Sequence, residues 1–246
     1  MSKHKVLLLT GGSKGIGKKL AVEFAKNGYQ IAFTYLSDEA GAKFTADEIN
    51  TYGVLARFYK LDISQYHDVE EVKNHVMNYF GRIDVLVNNA GIIKPSLIKD
   101  MSLDSWRRVV DVNLTGTFNC MRAVIPIMEK QNFGRIINIG SIAADKGSRG
   151  AASYSASKAG IVGLTKAAAR EVAEKGITVN VVSLGYMDQG ITNRLPEKLK
   201  KKLIQEIPSG KLGDVKKAAK MVVHLASEEA EYITGQSIFI SGGAYM

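Results

Sequence analysis

Two side chains in the stretch SYSASKAG, residues 153–160, are spaced for chemistry. Tyr154 and Lys158 lie four positions apart, and on a helix that spacing stacks them on one face. When hydride adds to a carbonyl carbon, negative charge grows on the oxygen and must be met by a proton or by donors. A free phenol, with a pKa near 10, gives up its proton reluctantly at neutral pH. An ammonium group one turn away favours the phenolate and is expected to lower that value. Bringing it to about 7 takes about 4 kcal/mol of differential interaction. Ser141, in INIGS, adds a hydroxyl able to donate to the same oxygen. Asn113, in DVNLTG, falls in a long helical stretch, where asparagine is mildly unfavourable unless its amide has a task, such as holding a water or the lysine. Each residue also has a plainer reading: an unrelated surface Tyr and Lys, a serine at a turn, an asparagine bonded to backbone. What surrounds them must decide.

The elements that would position them alternate. Val6–Leu9 is a continuous apolar run, as expected of a strand covered on both faces of a parallel sheet. Helical spacing over 17–26 precedes a strand at 29–35, and a helix at 39–51 precedes an extended segment at 54–61. A helix at 68–79 leads to the apolar strand 83–87, and a long helical region spans 105–131. Strand 135–139, helix 154–174 and strand 178–182 follow, then polar helices at 197–205 and 215–227 and a last strand at 237–240. This alternation predicts a single α/β domain over residues 1–246, a doubly wound parallel sheet of about seven strands with helices on both faces. Ligands of such sheets sit at the carboxyl ends of the strands, where the strand order switches. Residues 10–17, residues 88–91, Ser141 and Gly185 all fall just past a strand end.

The loop after the first strand, in LLLTGGSKGIGKKL, fits two phosphate-binding devices. Gly12 to Lys18 matches the first seven positions of a P-loop, GxxxxGK, but a P-loop needs a magnesium-binding hydroxyl next, and here Lys19 follows. The strand ending IDVLV is also followed by Asn88 and Asn89 rather than a carboxylate. Gly11, Gly15 and Gly17 instead fit TGxxxGxG. There, glycines serve a tight turn, close approach to a pyrophosphate and packing of the first helix, whose N-terminus faces the phosphates.

Composition narrows the field. A net charge of +9 and a pI near 9.4 raise nucleic acid as a partner. The lysines are dispersed, however, and the densest run, EKLKKK at 197–202, reads as the solvated face of a short helix. An anionic small ligand or an acidic carrier protein suits the charge better. No apolar run approaches the length of a membrane span, and the apolar part of MSKHKVLLLTGG is too short for a secretory signal. The one cysteine, Cys120, excludes a disulfide framework, and the cytoplasm is the expected compartment. The four histidines are scattered without metal-ligand spacing, so no metal is expected.

TGGSKGIG from Thr10, LDIS from Leu61, NNAG from Asn88, Asn113, Ser141, YSASK from Tyr154 and NVVSLG from Asn180 occur in one order. Taken together, they resemble the short-chain dehydrogenase/reductase family over essentially the whole chain. That resemblance implies a catalytic tetrad of Asn113, Ser141, Tyr154 and Lys158, with Tyr154 as general acid/base. It implies an adenine-side contact at Asp62 with the Ile63 backbone, and a nicotinamide-ribose region at Asn88, Ala90 and Gly91. The implied cofactor set also takes in Ser13, Lys14, Ile16, Gly185 and Met187. NAD-specific members carry an acidic residue at the end of the second strand, whereas this chain reads Thr34-Tyr35-Leu36-Ser37 with no carboxylate until Asp38. With Lys14 inside the glycine loop to meet a 2′-phosphate, NADP(H) is the expected cofactor.

Within the family the chain is most similar to the 3-oxoacyl-(acyl carrier protein) reductases, through AREVAEKGITVNVV from Ala169, IPSGKLGD from Ile207 and the last twenty or so residues. The resemblance implies a homotetramer reducing a 3-oxoacyl thioester, carried by an acidic acyl carrier protein or by coenzyme A. Three positions depart from the pattern. Leu184-Gly185 replaces Pro-Gly, Asp188-Gln189-Gly190 replaces Glu-Thr-Asp, and of two basic docking positions Lys175 is kept while the other falls at 131–133 with only Lys130 close. A polyketide ketoreductase, a sugar, polyol or steroid dehydrogenase, and a catalytically silent NADP-binding protein are the alternatives.

Overall fold

The computed structural model describes residues 4–190, 192 and 195–246. Seven strands form one parallel sheet: β1 (Val6–Leu9), β2 (Gln30–Tyr35), β3 (Ala56–Lys60), β4 (Val85–Asn88), β5 (Gly134–Ser141), β6 (Ile177–Leu184) and β7 (Ser237–Ile240). Their order is β3-β2-β1-β4-β5-β6-β7. The central strands are buried along their length except at Ser141, the end of β5, whereas β3 and β7, at the two edges, are partly exposed. That difference is why β1 and most of β4 read as continuous apolar runs.

Strand residues alternate between the faces, and each face has its own core. Leu7, Leu9, Ile31, Phe33, Val85 and Val87 pack under α1 (Gly15–Lys26), α2 (Glu39–Asn50) and α9 (Val215–Leu225). Val6, Leu8, Ala32, Leu86 and Ile136 pack under α3 (Tyr66–Phe80), α5 (Gly116–Gln131) and α7 (Ala152–Val172). The period of two in the strands thus meets the period of 3.6 in the helices on both sides. Each fully buried leucine or isoleucine contributes about 2 kcal/mol of burial free energy.

The helical region expected over 105–131 is one run from Leu103, made of α4 (Leu103–Val110), a π-helical turn at Asp111–Thr115, and α5. The period pattern carries no sign of that wide turn. Nor does it reveal α6 (Ala143–Lys146), a single short turn after β5. Helix α8 (Glu197–Gln205) buries no residue, consistent with its lysine-rich sequence lying in solvent. Among the described residues, no helix is long and apolar enough to cross a membrane. No group of three or more His, Cys, Asp or Glu among them is disposed to hold a metal ion.

β1 pairs with β2 on one side and with β4 on the other. The chain therefore leaves the sheet in opposite directions at the carboxyl ends of β1 and β4, which opens a crevice there.

Candidate active site

The glycine loop lies at that crevice and is held by the loop after β4. Thr10 Oγ1 accepts from the Asn89 and Ala90 N–H groups, both at 3.0 Å. Asn89 Nδ2 donates to the carbonyl oxygens of Thr10 and Gly11, also at 3.0 Å. From β2, Thr34 accepts from the loop at Oγ1 (Gly11 N–H, 3.3 Å) and at its carbonyl oxygen (Gly12 N–H, 2.8 Å). Gly11 has φ 72°, in the left-handed region that glycine enters without strain. A Cβ on Gly17 would stand 2.0 Å from Gly11 O, so the first turn of α1 passes against bare backbone.

This cradle fits a dinucleotide on its own evidence. The residue that caps α1, Lys14, makes no side-chain cap bond, and no acidic residue stands in the first turn. The first N–H groups of a helix so built are left for an anion. Asn88 Oδ1 is buried without a protein partner while its Nδ2 donates to Asn138 Oδ1 at 2.9 Å. An orphaned buried acceptor of this kind is satisfied by ligand or water.

Just past the end of β3, Asp62 accepts from Ser64 through Oδ1 and pairs with Arg108 through Oδ2 at 2.9 Å. Partial burial pushes its carboxyl up, and the bonds from Ser64 and Arg108 outweigh that and hold it below the usual range. A cavity of about 550 Å³ opens beside it, lined by Leu36, Leu61, Tyr59 and His75 among others. The Ile63 carbonyl is engaged by Asn119 Nδ2 at 3.0 Å. Tyr35 is buried in the core against Phe58, leaving its backbone at the crevice, whereas Leu36 and Ser37 are exposed. Ser13 is buried, with its carbonyl accepting from Thr45 Oγ1.

The four tetrad candidates come together between β5, the π-helical turn and α7. Asn113 is fully buried. Its amide clamps the backbone of Ile92 reciprocally, accepting from N–H at 2.8 Å and donating to the carbonyl oxygen at 2.9 Å. It also donates to Ser157 Oγ at 3.1 Å. Lys158 Nζ donates to the Ile139 carbonyl oxygen at 2.7 Å and leaves two N–H donors. Gly91 abuts both residues: a Cβ there would stand 3.2 Å from Asn113 Oδ1 and 3.8 Å from Lys158 Nζ. The Ser141 hydroxyl accepts from the Ala143 N–H at 3.2 Å and lies near enough to the Tyr154 phenol to lower its pKa.

One expectation about this group is reversed. Burial pushes the Tyr154 phenol above its ordinary value, and the nearby Ser141 hydroxyl only draws it part of the way back. Lys158, which is more deeply buried, falls from 10.5 to about 8. The lysine stands 5.7 Å from the ring centre, beside the face of the phenol, and does not bring it down. The site therefore holds a protonated phenol at neutral pH.

The segment after β6 closes over the glycine loop. Gly185 N–H donates to Ile240 O at 2.9 Å, and a Cβ at Gly185 would stand 2.8 Å from the Ser241 backbone. Met187 is buried, its sulfur beside Gly213, so only its backbone is left for a ligand. Gly190 lies 3.9 Å from where a Gly15 side chain would begin and against Ile16. Of the stretch 185–208, where a lid over the substrate would lie in the sequence, residues 191, 193 and 194 lie outside the described residues. Sequence reasoning missed Thr10, Asn89 and Arg108. The Asn-Asn doublet of NNAG was the available sign for Asn89, while nothing in the local pattern around Arg108 pointed to Asp62.

Comparison with known proteins follows the same lines. A family model described as enoyl-(acyl carrier protein) reductase matches residues 11–245. A 3-oxoacyl-[acyl-carrier-protein] reductase of Staphylococcus epidermidis is 42% identical over 243 residues, covering 99% of this chain and all of that protein. Its Staphylococcus aureus counterpart is 40% identical over 246 residues, the full length of both. An acetoacetyl-CoA reductase of Shinella zoogloeoides is 44% identical over 243 residues, 98% of each.

Proposed function

The chain belongs to the short-chain dehydrogenase/reductase family, and from that premise we propose that it reduces the ketone of a 3-oxoacyl thioester to a hydroxyl, using NADPH. The observation that carries the reading is the group of Ser141, Tyr154 and Lys158 beside a clamped glycine cradle. When bound, the nicotinamide cofactor supplies the hydride. Ser141 and Tyr154 then donate to the ketone oxygen, and Tyr154 gives up its proton as that oxygen becomes an alkoxide, a stronger base than a phenolate. Lys158 stabilises the phenolate that remains, and its two free donors suit ribose hydroxyls. Asn113 holds Ile92, and with it the Gly91 backbone, against the lysine.

On this reading residues 1–246 act as one dinucleotide-binding and catalytic domain. Gly11, Ser13, Gly15, Ile16, Gly17, Asp62, Ile63, Asn88, Ala90, Gly91, Gly185 and Met187 form the cofactor's surroundings. Lys14 meets the 2′-phosphate, across from Tyr35, Leu36 and Ser37. The names of the relatives support a thioester on an acyl carrier protein or on coenzyme A. A homotetramer in the cytoplasm completes the reading.

A second reading, reduction of an enoyl thioester, has the description of the matching family behind it. The two differ in where the proton goes: to oxygen from Tyr154 in the first, to carbon in the second. Purified protein should oxidise NADPH with acetoacetyl-CoA, more slowly oxidise NADH, and leave crotonyl-CoA unreduced. Turnover of crotonyl-CoA alone would transfer the proposal to the second reading, and no turnover of either would remove both.

A further inference from the structure

Lys14 and Asp38 face each other at the adenosine end, Nζ to Oδ2 at 3.1 Å. They come from the loops after β1 and β2, which in dinucleotide folds flank the adenosine ribose. Asp38 is fixed in place. It caps α2 by accepting from the Gly41 N–H at 3.1 Å, and a Cβ on Gly41 would stand 2.6 Å from Oδ2, so the carboxylate lies against bare backbone. The Lys14 side chain is 63% exposed against 30% for Asp38, and its long flexible stem is the part free to turn. Lys18, further along α1, is no spare cation: it pairs with Glu48 at 2.7 Å and lies over the Phe44 ring. Both lysines are therefore met by carboxylates, one capping α2 and one within it.

We propose that Asp38 is a specificity-determining residue whose carboxylate competes with the cofactor's 2′-phosphate for Lys14 and so narrows the preference for NADP over NAD. The inference rests on the cofactor reading above. With NAD, the 2′-hydroxyl leaves the Lys14–Asp38 pair intact. With NADP, a phosphate carrying about two negative charges at neutral pH takes the lysine. Asp38 is then left charged beside it, held there by its bond to Gly41. The sequence alone points the other way, since an acidic residue this far past β2 looks clear of the ribose, and only the turn into α2 brings it back onto the loop lysine.

The test is equilibrium binding of NADP+ and NAD+ to the full chain by titration calorimetry, without substrate. Asp38→Asn keeps a good helix cap and should tighten NADP+ about three- to tenfold while leaving NAD+ within about twofold. Asp38→Ser, another capping residue, should do the same, and thermal melts check that both variants fold. Lys14→Gln should weaken NADP+ alone, and in the Lys14→Gln/Asp38→Asn double variant the gain from removing Asp38 should shrink. Unchanged NADP+ affinity in both Asp38 variants, or an equal gain for NAD+, overturns the inference while the cofactor reading stands. Failure of the unaltered chain to bind either nucleotide overturns the reading and the inference together.

Discussion

Lys158 places its ammonium 5.7 Å from the centre of the Tyr154 ring, against the face of the phenol. The contact favours a cation there whether or not the phenol is ionised, because the ring face is itself electron-rich. What it does not do is ionise Tyr154 in the resting site, where burial dominates. The phenol therefore keeps its proton in the resting site.

Tyr154→Phe removes that proton and little else. Turnover of acetoacetyl-CoA is expected to fall by about 10³-fold or more, with NADPH binding within about threefold of the parent. Stopped-flow reduction and a binding titration on the same preparation check this. A variant retaining a tenth of the parent rate would remove Tyr154 from the mechanism.

The pH profile should report the lysine. Ketone reduction needs the phenol protonated, and burial holds the phenol's pKa above its ordinary value. Lys158, at about 8, loses its charge first as pH rises. In the free enzyme kcat/KM for reduction should therefore be flat near neutrality and decline through about pH 8. A profile still level at about pH 9.5 would contradict the assignment.

Lys158 also bears on stability. Its folded value of about 8 lies below the ordinary 10.5, so below pH 8 the native state carries a buried charge that the unfolded chain carries in water. Between about pH 8 and 10.5 the unfolded chain binds more protons, and this group's contribution makes stability rise with pH. The cost near neutrality is on the order of 3 kcal/mol, and the bond to Ile139 returns about 1 kcal/mol of it. Lys158→Met should gain about 2 kcal/mol at pH 7, lose most of that gain near pH 10, and be inactive. Urea unfolding at the two pH values reads it, and a variant less stable than the parent at pH 7 would show that the ion is not a burden.

Gly17→Ala should abolish nucleotide binding, because the added methyl collides with the Gly11 carbonyl 2.0 Å away, a backbone atom that is itself held by Asn89. The loss should appear as no thermal shift with NADP+ and a melting point lowered by several degrees, the effect of about 2 kcal/mol in a chain of this size. Normal NADP+ binding by the variant would mean that the loop can move aside.

Much of this was legible before any coordinates. The central strands announced themselves because both their faces are covered, and Tyr154 with Lys158 because four residues on a helix make neighbours. Gly11 and Gly17 stood out because side chains there have no room. What stayed hidden depends on contacts between distant segments: Asn89 reaching the glycine loop, Arg108 crossing to Asp62, and Asp38 turning back to Lys14. The reversal at Tyr154 has the same origin. Spacing shows that a charge is near, but the extent to which both groups are cut off from water is set by the whole fold.

The wide turn at Asp111–Thr115 sets the rotational phase of everything after it. Each residue of an α-helix advances about 100° around the axis, and a π turn accommodates one residue more than an α turn would. Helices α4 and α5 are in effect two screws cut with different starting angles, joined where Asn113 sits. Removing a single residue from 111–115 would let the rod run on as uninterrupted α-helix, with its helical circular dichroism intact. It would also swing Asn113 away from Ile92, so such a deletion should separate helix content from turnover, a fold kept while its timing is lost.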